Sequence, residues 1–259
     1  MNKVKPLFCV FIICCITILV GCARNDGKKT FEFLKAEREI LENTKVELKQ
    51  CSNPKPPTPP IFEATVNKQE RREQSAKIKN YHDALNDYWN TVIQNSQKTD
   101  RILNEAETKI SRLDSAGVGE EAINLTKSYE SSFGDWVQVS IEIEALAKLE
   151  QTKLRQNGQS KLFVSLIAGI IEKMSPATLA FTNIKDVLSD QKQEINQDQE
   201  IQSHLTHLQE AVAVLNHDVA DAITKRSELV TSCRAKHPQF AWKELLPAAM
   251  TANTNKVNQ

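Results

Sequence analysis

Apolar positions recur along most of the chain in alternating steps of four and three. From Tyr81 they fall at Leu85, Tyr88, Val92, Asn95, Thr99, Ile102 and Ala106, and Leu113 closes the run one heptad later. A second series is Tyr129, Phe133, Trp136, Ser140, Ile143, Ala147 and Leu154. A third is Ile201, Leu205, Leu208, Val212, Leu215, Val219 and Ala222, extended by Leu229. This spacing puts one stripe of each helix against a neighbouring helix. A further segment near Ser160, KLFVSLIAGIIEKM, is apolar all round; Ser175-Pro176 then caps and restarts it. The pattern predicts helices over 61–113, 119–157, 160–190 and 199–235, running up, down, up and down.

The breaks support the same count. Asp114 to Gly119 supplies turn residues, and Glu120 and Glu121 open the next helix where its dipole favours negative charge. Asn157-Gly158 is a C-terminal stop. Ser189 to Glu200, SDQKQEINQDQE, has one apolar residue in twelve and reads as a reversal. Strand-like alternation is scarce and glycines are few, so the expected fold is all-α, an antiparallel bundle of about four long helices. Ahead of it, Phe33, Ile40, Leu41 and Leu48 give residues after a polar tether, Arg24–Lys29, a helical apolar side. Five prolines between Pro54 and Pro60 then form a stiff connector. Tether, short helix and connector read as a stalk over 22–60, leading into a bundle over 61–236. Beyond it, HPQFAWKELLP predicts a short helix packing through Phe240, Trp242 and Leu246, before a disordered tail within 237–259.

The N-terminus changes the picture most. Lys3 and Lys5 precede an apolar run of 14 residues, Leu7 to Val20. A positive start and a short apolar stretch make a secretory signal; a spanning helix needs about 20 apolar residues. The run ends in Leu19-Val20-Gly21-Cys22, which resembles the lipobox of bacterial lipoproteins at all four positions. The resemblance covers about the first 22 residues. It implies cleavage of 1–21, lipid on the sulfur of Cys22 and an acyl chain, such as palmitate, on its new amine. Ala23, where an aspartate would resemble an inner-membrane retention signal, implies the periplasmic face of an outer membrane, or the cell-membrane surface in a host with one membrane.

Removing 1–21 takes two lysines and no acids, so the charge goes from 0 to −2, with 31 basic against 33 acidic residues. Neither charge nor export points to nucleic acid. Cys9, Cys14 and Cys15 leave with the signal. Cys51 and Cys233 remain, and in an exported protein a lone pair is expected to be a disulfide. An up-down-up-down bundle favours it, because the start of its first helix and the end of its fourth share one end.

Candidate chemistry is sparse. Glu200, His204 and His207 share a helix face and could contribute to a zinc site with a fourth ligand. Leu205 and Leu208 set the buried stripe, so the histidines are expected to flank the core, and no metal or other cofactor is expected. No HExxH, GxxxxGK[ST] or GxGxxG occurs. Leu162 to Ile171 is the sharpest segment, with Leu162, Phe163, Val164, Leu166, Ile167, Ile170 and Ile171 on all sides of the helix. Its length is that of a buried core helix. It also resembles the greasy segment inside the long bundles of some helical pore-forming toxins, although a lipobox is not part of that pattern. The sequence therefore predicts a lipid-anchored, non-enzymatic binding or scaffold module with a protein partner in the cell envelope. The alternatives are a membrane-active protein acting through 162–171 and a metal-dependent enzyme.

Overall fold

The structure is a computed structural model that describes residues 5–51, 54–61, 67–157 and 199–246, without the side chains of 5–25, 156, 157, 216 and 219. It is all-α. Four long helices carry the described residues: α1 (Lys5–Lys49), α2 (Lys68–Ser111), α3 (Glu120–Asn157) and α4 (Gln199–Lys236), followed by a single 3-10 turn, Trp242–Leu245. Among the described residues there is no strand. Among those with described side chains, no helix is long and apolar enough to cross a membrane. The expected helix over 160–190, with its apolar segment 162–171, lies outside the described residues. So does the expected reversal at 189–200, except for Gln199 and Glu200, which open α4.

The chain divides into two compact units. In the first, α1 up to Leu41 packs with the α2–α3 connection, the start of α3 and the end of α4. Gly27 meets His237 and Glu37 meets Arg226, so rising numbers in α1 face falling numbers in α4 and the two helices are antiparallel. The core here includes Phe33, Leu34, Ile110, Leu125, Tyr129, Val230 and Trp242. The connection turns as expected: Asp114 Oδ1 accepts from the Ala116 N–H at 2.9 Å, and Gly117 takes φ 75°. Glycine adopts that left-handed conformation without a Cβ clash.

The second unit holds most of α2 and α3, the first half of α4 and the end of α1. Gln97 Nε2 donates to Glu144 at 2.9 Å, and Gln151 Nε2 donates to Asn90 at 2.7 Å and Asn86 at 3.1 Å. This register makes α2 and α3 antiparallel, and His204 against Glu142 with Asp218 against Asp135 makes α3 and α4 antiparallel as well. Every member of the predicted α3 stripe is buried. So are Leu85, Tyr88, Val92, Ile102 and Ala106 of α2, and Ile201, Leu205, Leu208, Val212, Leu215, Ala222 and Leu229 of α4. Asn67 caps α2, its Oδ1 accepting from the Glu70 N–H at 2.8 Å.

Two expectations need correction. The stalk is not a free element over its helical part: α1 runs through Arg24–Lys29 without a tether and buries Thr30, Phe33, Leu34, Glu37, Thr44 and Leu48. A helix with a buried stripe belongs to the packed body; among the described residues of the stalk, 54–60 are irregular. The expected Cys51–Cys233 disulfide is not formed, and both are free thiols. The expectation took the bundle to begin after the prolines. Instead α1 itself packs antiparallel to α4. Cys51 belongs to the second unit, whereas Cys233 belongs to the first, four residues before the His237 that packs on Gly27.

Candidate functional site

Cys22 leads directly into packed structure. Cys22 lies within α1, and five residues later Gly27 is buried beneath the His237 ring. A Cβ there would meet three ring atoms at 2.7 Å, so only glycine lets the imidazole lie on the helix backbone. One turn on, Phe31 stacks on Phe240 with centroids 5.5 Å apart and meets Trp242 edge-on at 5.2 Å. The Trp242 indole N–H donates to the His237 carbonyl at 2.7 Å. Residues 237–246 thus form a strap across α1. Trp242 and Leu246 are buried as the sequence predicts; Phe240 is half-buried. A second contact joins α1 to the α2–α3 connection: Lys29 Nζ donates to the Ala116 carbonyl at 3.0 Å, and the Gly119 N–H to Thr30 Oγ1 at 3.4 Å.

Deeper in this unit, Arg226 donates to the Glu37 carboxylate and, through Nη2, to the Leu34 carbonyl at 3.1 Å. Both side chains are buried. Burial pushes Glu37 up from 4.5 to about 7, and Arg226 limits the rise. Burial raises the Tyr129 hydroxyl too, with the Glu37 charge adding to it. Burial likewise lifts the Cys233 thiol, so it is not an activated nucleophile. Two open grooves of about 430 Å³ flank the unit. One lies between α3 and α4 over Leu125 and Leu229, the other between α1 and the connection beside Lys28, Lys29 and Asp114. Both have mixed charge.

In the second unit the histidines flank the core as expected, with His204 half-buried and His207 exposed. What the sequence reading missed is their partner. Glu142, a residue of no distinction by spacing, accepts from His204 Nδ1 at 2.8 Å, lies 3.8 Å from His207 Nδ1, and accepts from Gln138 at 2.9 Å. A carboxylate on Nδ1 orients an imidazole and leaves Nε2 as the nitrogen for other work. Even so, among the described residues no three His, Cys, Asp or Glu groups come together to hold a metal. Nearby, Asp135 is raised by burial and by the Asp218 carboxyl to which it is hydrogen-bonded. The apolar candidates Leu162, Phe163, Val164, Leu166, Ile167, Ile170 and Ile171 lie outside the described residues. No family model matches the chain, and no curated protein or solved structure matches it significantly.

Proposed function

We propose that this chain is a lipid-anchored protein of the bacterial cell envelope whose helical body is a non-enzymatic binding or scaffold module. The observation that carries the reading is the sequence Leu19-Val20-Gly21-Cys22 after a positively charged, 14-residue apolar leader. Cleavage before Cys22 would begin the mature chain five residues ahead of Gly27, the first buried position among the described side chains. Cutting there would spare every described contact of the body. Two or more acyl chains at Cys22 would give stable membrane attachment, which a single chain does not. Ala23 favours the outer membrane where the host has one. The mixed-charge grooves beside α1 and between α3 and α4 suit polar protein contacts better than an enclosed small-molecule site.

The test is a native mass spectrum of the protein extracted gently from its own membrane. The reading expects loss of 1–21, acyl mass on Cys22 and a co-purifying protein. Full-length chain with an unmodified Cys22 would sink the anchor. A lipidated chain with no partner and a stoichiometric metal would sink the scaffold role.

A further inference from the structure

We infer that the end of the first unit nearest Cys22 is a seat for an anionic phospholipid surface, holding that end of the unit against the membrane that the anchor reaches. This rests on the proposed lipidation of Cys22 and goes further, because an anchor alone leaves the orientation of the body free. The distance is short. Gly27 is five residues from Cys22 on one helix, about 7–8 Å along the axis. A body packed that close to its anchor touches the headgroups with whatever it presents there.

What it presents has the chemistry of a membrane interface. Phe31 and Phe240 form a stacked pair that is only half-buried, nine residues along α1 from the cysteine. Exposed Lys28 and Lys29 lie within three residues of Phe31 on α1, with Lys29 also reaching the Ala116 carbonyl, Arg234 and Lys236 end α4 just before His237, and Lys243 follows Trp242 in the strap. Asp26, Glu32 and Glu244 are the exposed acids on these same segments, and Asp114, Glu120 and Glu121 lie on the connection and the start of α3. The cations therefore outnumber the acids on the α1–α4 side, and the acids gather on the α3 side. Aromatic rings among lysines and arginines suit the headgroup layer, where rings enter the boundary and cations meet phosphate. Each lysine or arginine near an anionic surface adds to an attraction that salt screens. The strap gives the pair its rigidity: the Trp242–His237 hydrogen bond and the His237 ring on Gly27 fix Phe240 over Phe31.

The test uses the lipidated chain purified from its membrane and reconstituted into vesicles of phosphatidylcholine, with or without phosphatidylglycerol. Lysine acylation is followed by mass spectrometry, with exposed Lys79 of the second unit as the reference. The seat predicts acylation at Lys28, Lys29, Lys236 and Lys243 about threefold or more slower in the anionic vesicles, and recovery in high salt. In the double variant Lys28→Gln/Lys236→Gln, Lys29 and Lys243 should lose most of that protection. Equal rates in both vesicles, with acyl mass present on Cys22, would overturn the seat and leave the anchor standing. If Cys22 proves bare, the anchor fails, and the same protein is mixed with the vesicles instead. Salt-sensitive co-sedimentation with the anionic vesicles alone would then support the seat, and none would overturn it.

Discussion

Arg226 of α4 and Glu37 of α1 form a buried ion pair whose side chains are 5% and 0% exposed. The guanidinium is well served, because it also donates to the Leu34 carbonyl. The carboxylate is not: its Oε1 is buried with no hydrogen-bond partner. Breaking such a pair from one side strands a charge, whereas removing both partners together is often nearly neutral. Arg226→Ala should therefore destabilise the protein by about 3–5 kcal/mol, and Glu37→Leu/Arg226→Met should recover most of that loss. Urea denaturation of both variants decides it; a double variant as unstable as the single one would contradict the account.

Glu37 shares its position on the pH scale with Glu150 of α3. Burial lifts each from 4.5 to about 7, against Arg226 in one case and Lys153 in the other. Both carboxylate oxygens of Glu150 are buried without a hydrogen-bond partner. The folded protein thus binds more protons than the unfolded chain between about pH 4.5 and 7. Stability from these groups is complete below pH 4.5 and is lost as pH rises through 7. The melting temperature should fall from pH 5 to pH 8, and Glu37→Gln and Glu150→Gln should each flatten the slope. Glu150→Leu should raise stability at pH 8, since it removes an unpartnered carboxylate. A pH-melting series on the three variants checks the sign.

The strap across α1 carries its own prediction. Trp242 is 1% exposed and keeps its indole N–H bonded, so Trp242→Ala should cost about 3–5 kcal/mol. Phe240 is half-buried and stacks on one face only, so Phe240→Ala should cost less than half as much. Chemical denaturation of the two variants gives the ratio. Equal losses would mean that the strap is held by the stacked rings rather than by the tryptophan.

Helical periodicity made most of the core legible because it records apolar residues at steps of three and four. It failed where the buried position is polar. On α1 the stripe reads Phe33, a gap, then Ile40 and Leu41; the gap is Glu37. On α4 it reads Ala222, a gap, then Leu229; the gap is Arg226. Each gap lies one turn from an apolar neighbour, and the two carry opposite charges, so their match was the signal available for the pair. Trp89 and Leu103 escape the pattern for a different reason: both stand outside the predicted stripe of α2, yet both are fully buried. A helix that buries a second strip of its surface has a wider apolar face than one seam describes. Glu142 was invisible for want of any distance information: its role comes from α4, at residues 62 and 65 further along the chain.

Two helical glycines give opposite expectations for the same substitution. Alanine is about 1 kcal/mol better than glycine inside a helix, because glycine has more backbone freedom to lose. At Gly134 of α3 an added Cβ meets nothing within 4 Å, so Gly134→Ala should raise stability by about 0.5–1 kcal/mol. At Gly27 of α1 the same Cβ would lie 2.7 Å from the His237 ring, closer than carbon atoms approach. The ring must move, and its movement disturbs the carbonyl that accepts from Trp242 and the stacking of Phe240 on Phe31. Gly27→Ala should therefore lose stability despite the gain in helix propensity. Adding His237→Ala should restore much of it by opening the space. Melting temperatures of the two single variants and the double variant give the answer. A stabilising Gly27→Ala would show that His237 does not pack on α1, and the strap would lose its first point of attachment.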